Sequence, residues 1–291
     1  MAQFKANTGK RLNLVPWRLR SINNFVTASP NLLFSSVLLS RAVQVERSSP
    51  FEIHSLVCHR DVNMMLISAK SFLRFCPQMA LIIHDDGSLT KSDRARLHKH
   101  LPGLEIIDRS AADEVMRSVL PPQVFLMRQR YVFLMKLFDF NYFHNGTHTI
   151  LLDSDIIFLR RPDEVVDWLV QRNAPPFYNK DWCSSYRANS VPPGVTLPPW
   201  LNAGFMGYAG KFSMEKIYNL CIELDYWLED QTLYALLLAG TGASPLDARQ
   251  YMVYTGQELD DHQTMVHFIS PNRFRTLLYP KLAARVCAQL R

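Results

Sequence analysis

Between Thr149 and Phe158 an apolar, β-branched run delivers two carboxylates, Asp153 and Asp155, and then turns apolar again. Side chains of an extended segment alternate faces, so the i and i+2 positions put both acids on one side. Two like charges side by side in such a setting are costly unless a cation or a donor network compensates them. A divalent metal is the economical compensation, because hard cations take carboxylate oxygens. The pair therefore reads as a metal clamp, and the chemistry it suits is the neutralisation of charge on bound phosphates.

The elements around the clamp must position it. From residue 51 the chain shows a βαβ rhythm, with strands expected at 51–58, 79–84 and 104–107 and helices at 63–75 and 91–101. Short connections force right-handed parallel crossovers, which predicts an α/β, Rossmann-like, mostly parallel mixed sheet flanked by helices. Ligands of such a sheet lie beyond the strand C-termini, and by that rule His59 and Asp61 fall where a nucleoside would sit. One long helix is expected over 123–143, with Phe125, Tyr131, Leu134, Leu137 and Phe138 on its apolar side, before an Asn145-Gly146 turn leads into the acidic strand.

Past Pro162 a short helix is expected over 163–170, then a loop-rich stretch marked by the pairs Pro175-Pro176, Pro192-Pro193 and Pro198-Pro199. A strand at 200–209, helices at 213–227 (capped by Ser213) and 230–239, and a last strand at 264–269 complete the pattern. The loop-rich stretch suits a variable acceptor site, with Tyr178, Trp182, Tyr186 and Trp200 available to stack on sugar rings.

A chain of 291 residues, 48% hydrophobic and 20% charged, can bury a full core. The reading is an N-terminal extension at 1–50 and one domain at 51–291, divided into a nucleotide-binding half at 51–165 and an acceptor half at 166–291. A formal charge of +6 favours anionic partners; nucleotide phosphate is the one the clamp supports, and nucleic acid is not expected. Cys58, Cys76, Cys183, Cys221 and Cys287 are scattered without CxxC spacing, which fits reduced thiols in a cytoplasmic protein. Lys5, Lys10, Arg11, Arg18 and Arg20 interrupt the N-terminus where a signal peptide would be apolar. The uncharged stretch between Arg20 and Arg41 is too polar for a bilayer span. It is expected to pack on the domain or, as a peripheral contact, to touch a membrane interface through Trp17, Phe25 and Leu32. Asn145-Gly146-Thr147 reads as a turn, and the acid pairs Asp85-Asp86 and Asp260-Asp261 as solvated loops.

Several motifs in order resemble one family. Lys136-Leu137-Phe138-Asp139 and Thr149-Ile150-Leu151-Leu152-Asp153-Ser154-Asp155, followed by Arg161-Pro162-Asp163-Glu164, are similar to the helix, DxD strand and turn of GT-A glycosyltransferases, especially the glycogenin and galactosyltransferase-like group. Leu201-Asn202-Ala203-Gly204 resembles that group's NAG strand, Glu229-Asp230-Gln231 its acidic helix start, and Val266-His267-Phe268 its C-terminal segment.

The resemblance implies a single GT-A catalytic domain that transfers a hexose from a nucleotide sugar, a UDP-sugar by expectation, to a hydroxyl of a glycan, lipid or protein acceptor. Asp155 and His267 would hold the metal directly, with Asp153 binding it through water or holding the ribose. A mixed oxygen and imidazole set favours Mn²⁺, with Mg²⁺ the alternative. Asn202, Ala203 and Gly204 would face the donor sugar, Lys136 would reach the donor, and Arg273 would contact the pyrophosphate in place of a lysine that relatives carry. Asp230 would be the general base of an inverting enzyme, or would orient and stabilise the sugar in a retaining one; the resemblance tilts towards retention. Two other classes fit parts of the pattern. A haloacid dehalogenase-like phosphatase also places DxD after an apolar strand, but near the start of its domain. A glycan-binding or assembly subunit could keep the fold without turnover.

Overall fold

The computed structural model describes residues 34–171, 173–184, 191–224, 229–269 and 276–290. Three parallel strands open the sheet: β1 (Phe51–Val57), β2 (Ala80–Asp85) and the short β3 (Glu105–Ile107). Helix α1 (Val62–Leu73) crosses from β1 to β2 and is buried along its whole length; α2 (Lys91–His100) crosses from β2 to β3. The α2 start follows from its sequence, since Thr90 and Asp93 form a reciprocal capping box. Helices α3 (Arg109–Val119), α4 (Pro122–Arg130) and α5 (Leu134–Phe143) lead to β4 (His148–Leu152), which pairs parallel with β1. The chain continues through β5 (Ile156–Phe158), α6 (Asp163–Val170), β6 (Phe177–Lys180), β7 (Leu201–Ala209), α7 (Met214–Leu224) and α8 (Asp230–Leu238). Strands β8 (Ser244–Pro245), β9 (Tyr251–Val253) and β10 (Met265–His267) and helix α9 (Leu278–Gln289) close it.

The main sheet has seven strands in the order β3-β2-β1-β4-β7-β6-β8, and a second sheet of three strands has the order β5-β10-β9. Strand β7 runs antiparallel to β4, so the sheet is mixed, as expected. The pleat of β4 sorts the core. Ile150 and Leu152 face one cluster with Ile53, Val57, Phe72 and Phe205, while Leu151 faces another with Leu137, Phe138, Met206 and Tyr234. Phe34, Val37 and Val45, from the N-terminal extension, are buried in the first cluster, and Phe34 meets Tyr279 of α9 edge to face. Most of the segment between Arg20 and Arg41 lies outside the described residues. Among the described residues no helix is long and apolar enough to cross a membrane.

Three expectations change. The acidic strand is not continuous: β4 stops at Leu152, and Asp153-Ser154-Asp155 form a turn that carries the chain from the large sheet into the small one. The Asp153 N–H still donates to the Gly204 carbonyl of β7 (2.8 Å), whereas the Asp155 carbonyl already accepts from Phe268 N–H beyond β10 (2.9 Å). The acids therefore meet through a turn, not through the pleat. The long helix at 123–143 is broken at residues 131–133, where aromatic and β-branched side chains stand in a row and Tyr131 takes extended dihedrals. Helix α3 was not anticipated at all; its apolar stripe of Ala112, Val115, Met116 and Val119 is the signal that could have shown it.

Candidate active site

The Asp153-Ser154-Asp155 turn is fixed by its neighbours. Ser68 of α1 donates its hydroxyl to the Asp153 carbonyl at 2.9 Å, and the backbone bonds to β7 and to Phe268 hold either end. Strand β10 pairs antiparallel with β5 so that His267 sits opposite Ile156. This pairing brings a residue more than a hundred positions away beside the acids. His267 Nε2 lies 3.2 Å from Asp155 Oδ1. One ligand atom each from Asp153, Asp155 and His267 falls within 4.8 Å of the others.

Strand β7 forms the floor. A Cβ on Gly204 would lie 2.3 Å from His267 Cε1 and 3.0 Å from both Asn202 Oδ1 and Asp153 Oδ2. Glycine is needed there because the imidazole and a carboxylate close over the backbone. Gly204→Ala is expected to displace His267 and weaken divalent cation binding at least tenfold with little change in far-UV circular dichroism; calorimetric titration of Mn²⁺ into both proteins checks it. Unchanged affinity would show that the His267 position is immaterial to the cation.

Asn202 is buried and is oriented by two groups. Its amide oxygen accepts from Gly204 N–H (2.9 Å), and its amide nitrogen donates to Asp181 Oδ2 (3.1 Å). Gln231, at the start of α8, also reaches Asp181 Oδ2, at 3.5 Å. Asp181 was missed in the sequence, where it follows a short strand with no motif around it. Its burial between Asn202 and Gln231 shows only in three dimensions. Ala203 is buried in the second core cluster beneath the Gly204 backbone.

Lys136, on the first turn of α5, bridges two acids: Nζ is 2.8 Å from Asp153 Oδ1 and 3.4 Å from Asp230 Oδ2. The Tyr234 hydroxyl donates to the Lys136 carbonyl at 2.7 Å and ties α5 to α8. Burial alone would lower the Lys136 ammonium, but Asp153 and Asp230 together hold it above the ordinary lysine range. Burial raises the Asp153 carboxyl, an effect that Lys136 offsets only in part. For His267, burial works against the charged form, yet the Asp155 carboxylate beside it holds the imidazole above its usual value. Asp153 and Asp230 keep 28% and 24% of their side chains exposed, so the cluster is open to a ligand from solvent.

The donor set fits a divalent cation. Two carboxylates and one imidazole converge, burial penalises the Asp153 charge, and His267 Nδ1 is buried without a hydrogen-bond partner among the described residues. His59 and Asp61 lie just past the end of β1 and are engaged with their own neighbours. His59 Nδ1 is 2.6 Å from Asp93 of the α2 capping box, and Asp61 pairs with Arg60 at 3.0 Å. Arg273 and Tyr186 lie outside the described residues. Of the aromatic candidates, Trp182 and Trp200 are exposed, but Tyr178 is fully buried with its hydroxyl on the Pro199 carbonyl, and so belongs to the core. Asp85 is occupied by Gly87 and Leu89 N–H groups and by Arg94, which explains that acid without a cation.

No protein-family model matches the chain, and no curated protein matches it in sequence. Solved structures match it in shape. The galactosyltransferase LgtC, solved with donor and acceptor sugar analogs, superposes with a TM-score of 0.58 at 15% identity, over 82% of this chain and 96% of its own. Mouse xyloside xylosyltransferase 1 in its apo form gives 0.52 at 12% identity, over 76% of this chain and 98% of its own. The mannosyltransferase Ktr4p from S. cerevisiae gives 0.50 at 14% identity, over 91% and 90%. At such identities the likeness is one of fold, and the fold is GT-A.

Proposed function

We propose that this chain is a metal-dependent glycosyltransferase that moves a hexose from a nucleotide sugar, a UDP-sugar, to a hydroxyl of a glycan, lipid or protein acceptor. The observation that carries the reading is the convergence of Asp153, Asp155 and His267, from two distant segments, beside the Lys136-Asp230 pair just past the C-terminal end of the central strand β4. The solved structures of similar fold are sugar transferases by their own descriptions, which supports the same reaction class here.

Asp153, Asp155 and His267 would hold the cation, Mn²⁺ by the mixed oxygen and nitrogen donor set and Mg²⁺ otherwise. Such an ion, when bound, neutralises charge developing on the diphosphate leaving group. The remaining work falls to residues of the chain. Lys136 would place a second positive charge near the donor and fix the Asp153 carboxylate. Gly204 would let His267 and Asp153 close over β7 at the floor of the donor site, and Asn202, its amide set by Gly204 and Asp181, would bond a sugar hydroxyl. Asp230, held by Lys136, would orient the sugar and stabilise positive charge at its anomeric carbon, a role that suits retention. Trp182 and Trp200 would receive the acceptor. His59, Asp61 and Arg273 remain assigned to the nucleotide by the proposal.

A screen of nucleotide sugars for slow donor hydrolysis tests the reading without knowledge of the acceptor. One UDP-sugar is expected to be hydrolysed with Mn²⁺ and to be spared when the ion is chelated. UDP is expected to raise the melting temperature only with Mn²⁺, by several degrees at ligand on the order of a hundred times its Kd. Metal-independent nucleotide binding, or hydrolysis of simple phosphate esters through a phospho-aspartate, would overturn it.

A further inference from the structure

On the sheet face beneath α5, away from the acidic turn, four side chains form a chain of contacts that the transfer chemistry does not use. Glu52 and His54 project from alternate positions of β1, His84 comes from β2, and His144 follows the end of α5. His54 Nε2 is 3.1 Å and His144 Nδ1 2.7 Å from the same oxygen, Glu52 Oε2, while His84 Nε2 is 2.9 Å from His54 Nδ1. All four residues are buried. Three imidazoles and a carboxylate in the interior are an expensive way to fill space between a sheet and a helix.

We propose that Glu52, His54 and His144 form a second metal site, for a divalent transition ion of the zinc class. One ligand atom from each lies within 4.8 Å of the others. Ligands at zinc bond lengths of about 2.0–2.2 Å stand about 3.3 Å apart in a tetrahedron, close to the 3.1 Å between His54 Nε2 and Glu52 Oε2 and about half an ångström beyond the 2.7 Å between His144 Nδ1 and the same oxygen. Two nitrogens and one carboxylate oxygen select zinc over calcium or magnesium.

The protons balance. When the ion enters, the proton on His54 Nε2 moves to Nδ1, where His84 Nε2 accepts it, and His84 carries its own proton on Nδ1. The proton on His144 Nδ1 moves to Nε2. His84 Nδ1 and His144 Nε2, both buried without a partner among the described residues, would each carry the ring proton in the loaded site. His84 then acts as the outer partner that orients a ligating histidine. Glu52, Phe143 and Asn145 line a surface cavity of about 380 Å³, which brings solvent to the Glu52 side of the cluster.

The test uses the full chain carrying Asp155→Ala and His267→Ala, which removes the other cluster. After chelation and dialysis it is titrated with Co²⁺, followed by its visible absorption, and then with Zn²⁺. The expected result is one equivalent of Co²⁺ with the band intensity of a four- or five-coordinate ion, displaced by Zn²⁺ and accompanied by a rise in melting temperature. Adding Glu52→Gln or His144→Asn is expected to weaken binding at least tenfold, with folding checked by circular dichroism. Absence of any band or Zn²⁺ binding in the two-substitution parent, or full affinity in a folded His144→Asn chain, would reduce the cluster to a hydrogen-bonded network and overturn the proposal.

Discussion

Asp155→Ala is expected to remove both the Mn²⁺-dependent rise in melting temperature with UDP and the donor hydrolysis, with turnover falling at least about a hundredfold to a thousandfold, the scale of losing one charge-stabilising group. Asp155 is chosen over Asp153 because it stands outside the Lys136 bridge. Asp153 also pairs with Lys136, so its removal would release an ammonium and disturb Asp230 at the same time. Asp155 instead faces His267 and sits in a turn whose carbonyl, not its side chain, makes the bond to Phe268. The substitution should therefore leave the backbone intact. Calorimetry with Mn²⁺ and UDP, beside a hydrolysis assay, separates the outcomes. Lost cation binding with an unchanged apo melting temperature supports the clamp. Retained Mn²⁺-dependent nucleotide binding would place the cation elsewhere and sink the reading.

The legible and illegible parts of the site differ for physical reasons. The βαβ half was readable because short connections between strand and helix leave one sensible topology, and because β1, β2 and β4 are apolar enough for central parallel strands. The acids were readable because charge in an apolar run demands compensation. How they meet was not: the periodicity of 149–158 carries no sign that the chain leaves one sheet for another after Leu152. That exchange is set by Gly204 on one side and Phe268 on the other. His267, Asn202 and Asp230 were found through short motifs in order. Asp181, which has no motif, emerged only where Asn202 and Gln231 reach the same carboxylate oxygen. Glu52, His54, His84 and His144 were passed over for the same reason, since they are contributed by three separate segments and none of their spacings is distinctive.

The helix break at 131–133 leads to the other large effect. Arg128 closes α4 with its side chain fully buried, and its guanidinium grips Asp139 of α5 through two bonds of 2.6 and 2.5 Å and Asp113 of α3 through one of 2.5 Å. Three helices thus share one cation, and the turn between α4 and α5 lets the chain fold back onto it. Asp139→Ala leaves that guanidinium buried and only partly paired, which is expected to destabilise the protein by about 3–5 kcal/mol. Lys136 lies one helical turn before Asp139 on the same helix, so loosening α5 should also lower activity through the Asp153 and Asp230 contacts. The combination Arg128→Met with Asp139→Leu removes both charges and replaces them with apolar volume; it is expected to recover most of the stability and, because α5 is again seated, most of the turnover. Urea unfolding of the parent, Asp139→Ala and the double variant measures the first effect, and donor hydrolysis the second. An Asp139→Ala protein with the parental unfolding midpoint would mean that Asp113 alone satisfies Arg128. Stability recovered without turnover would mean that the pair sets the position of Lys136 more finely than helix packing does.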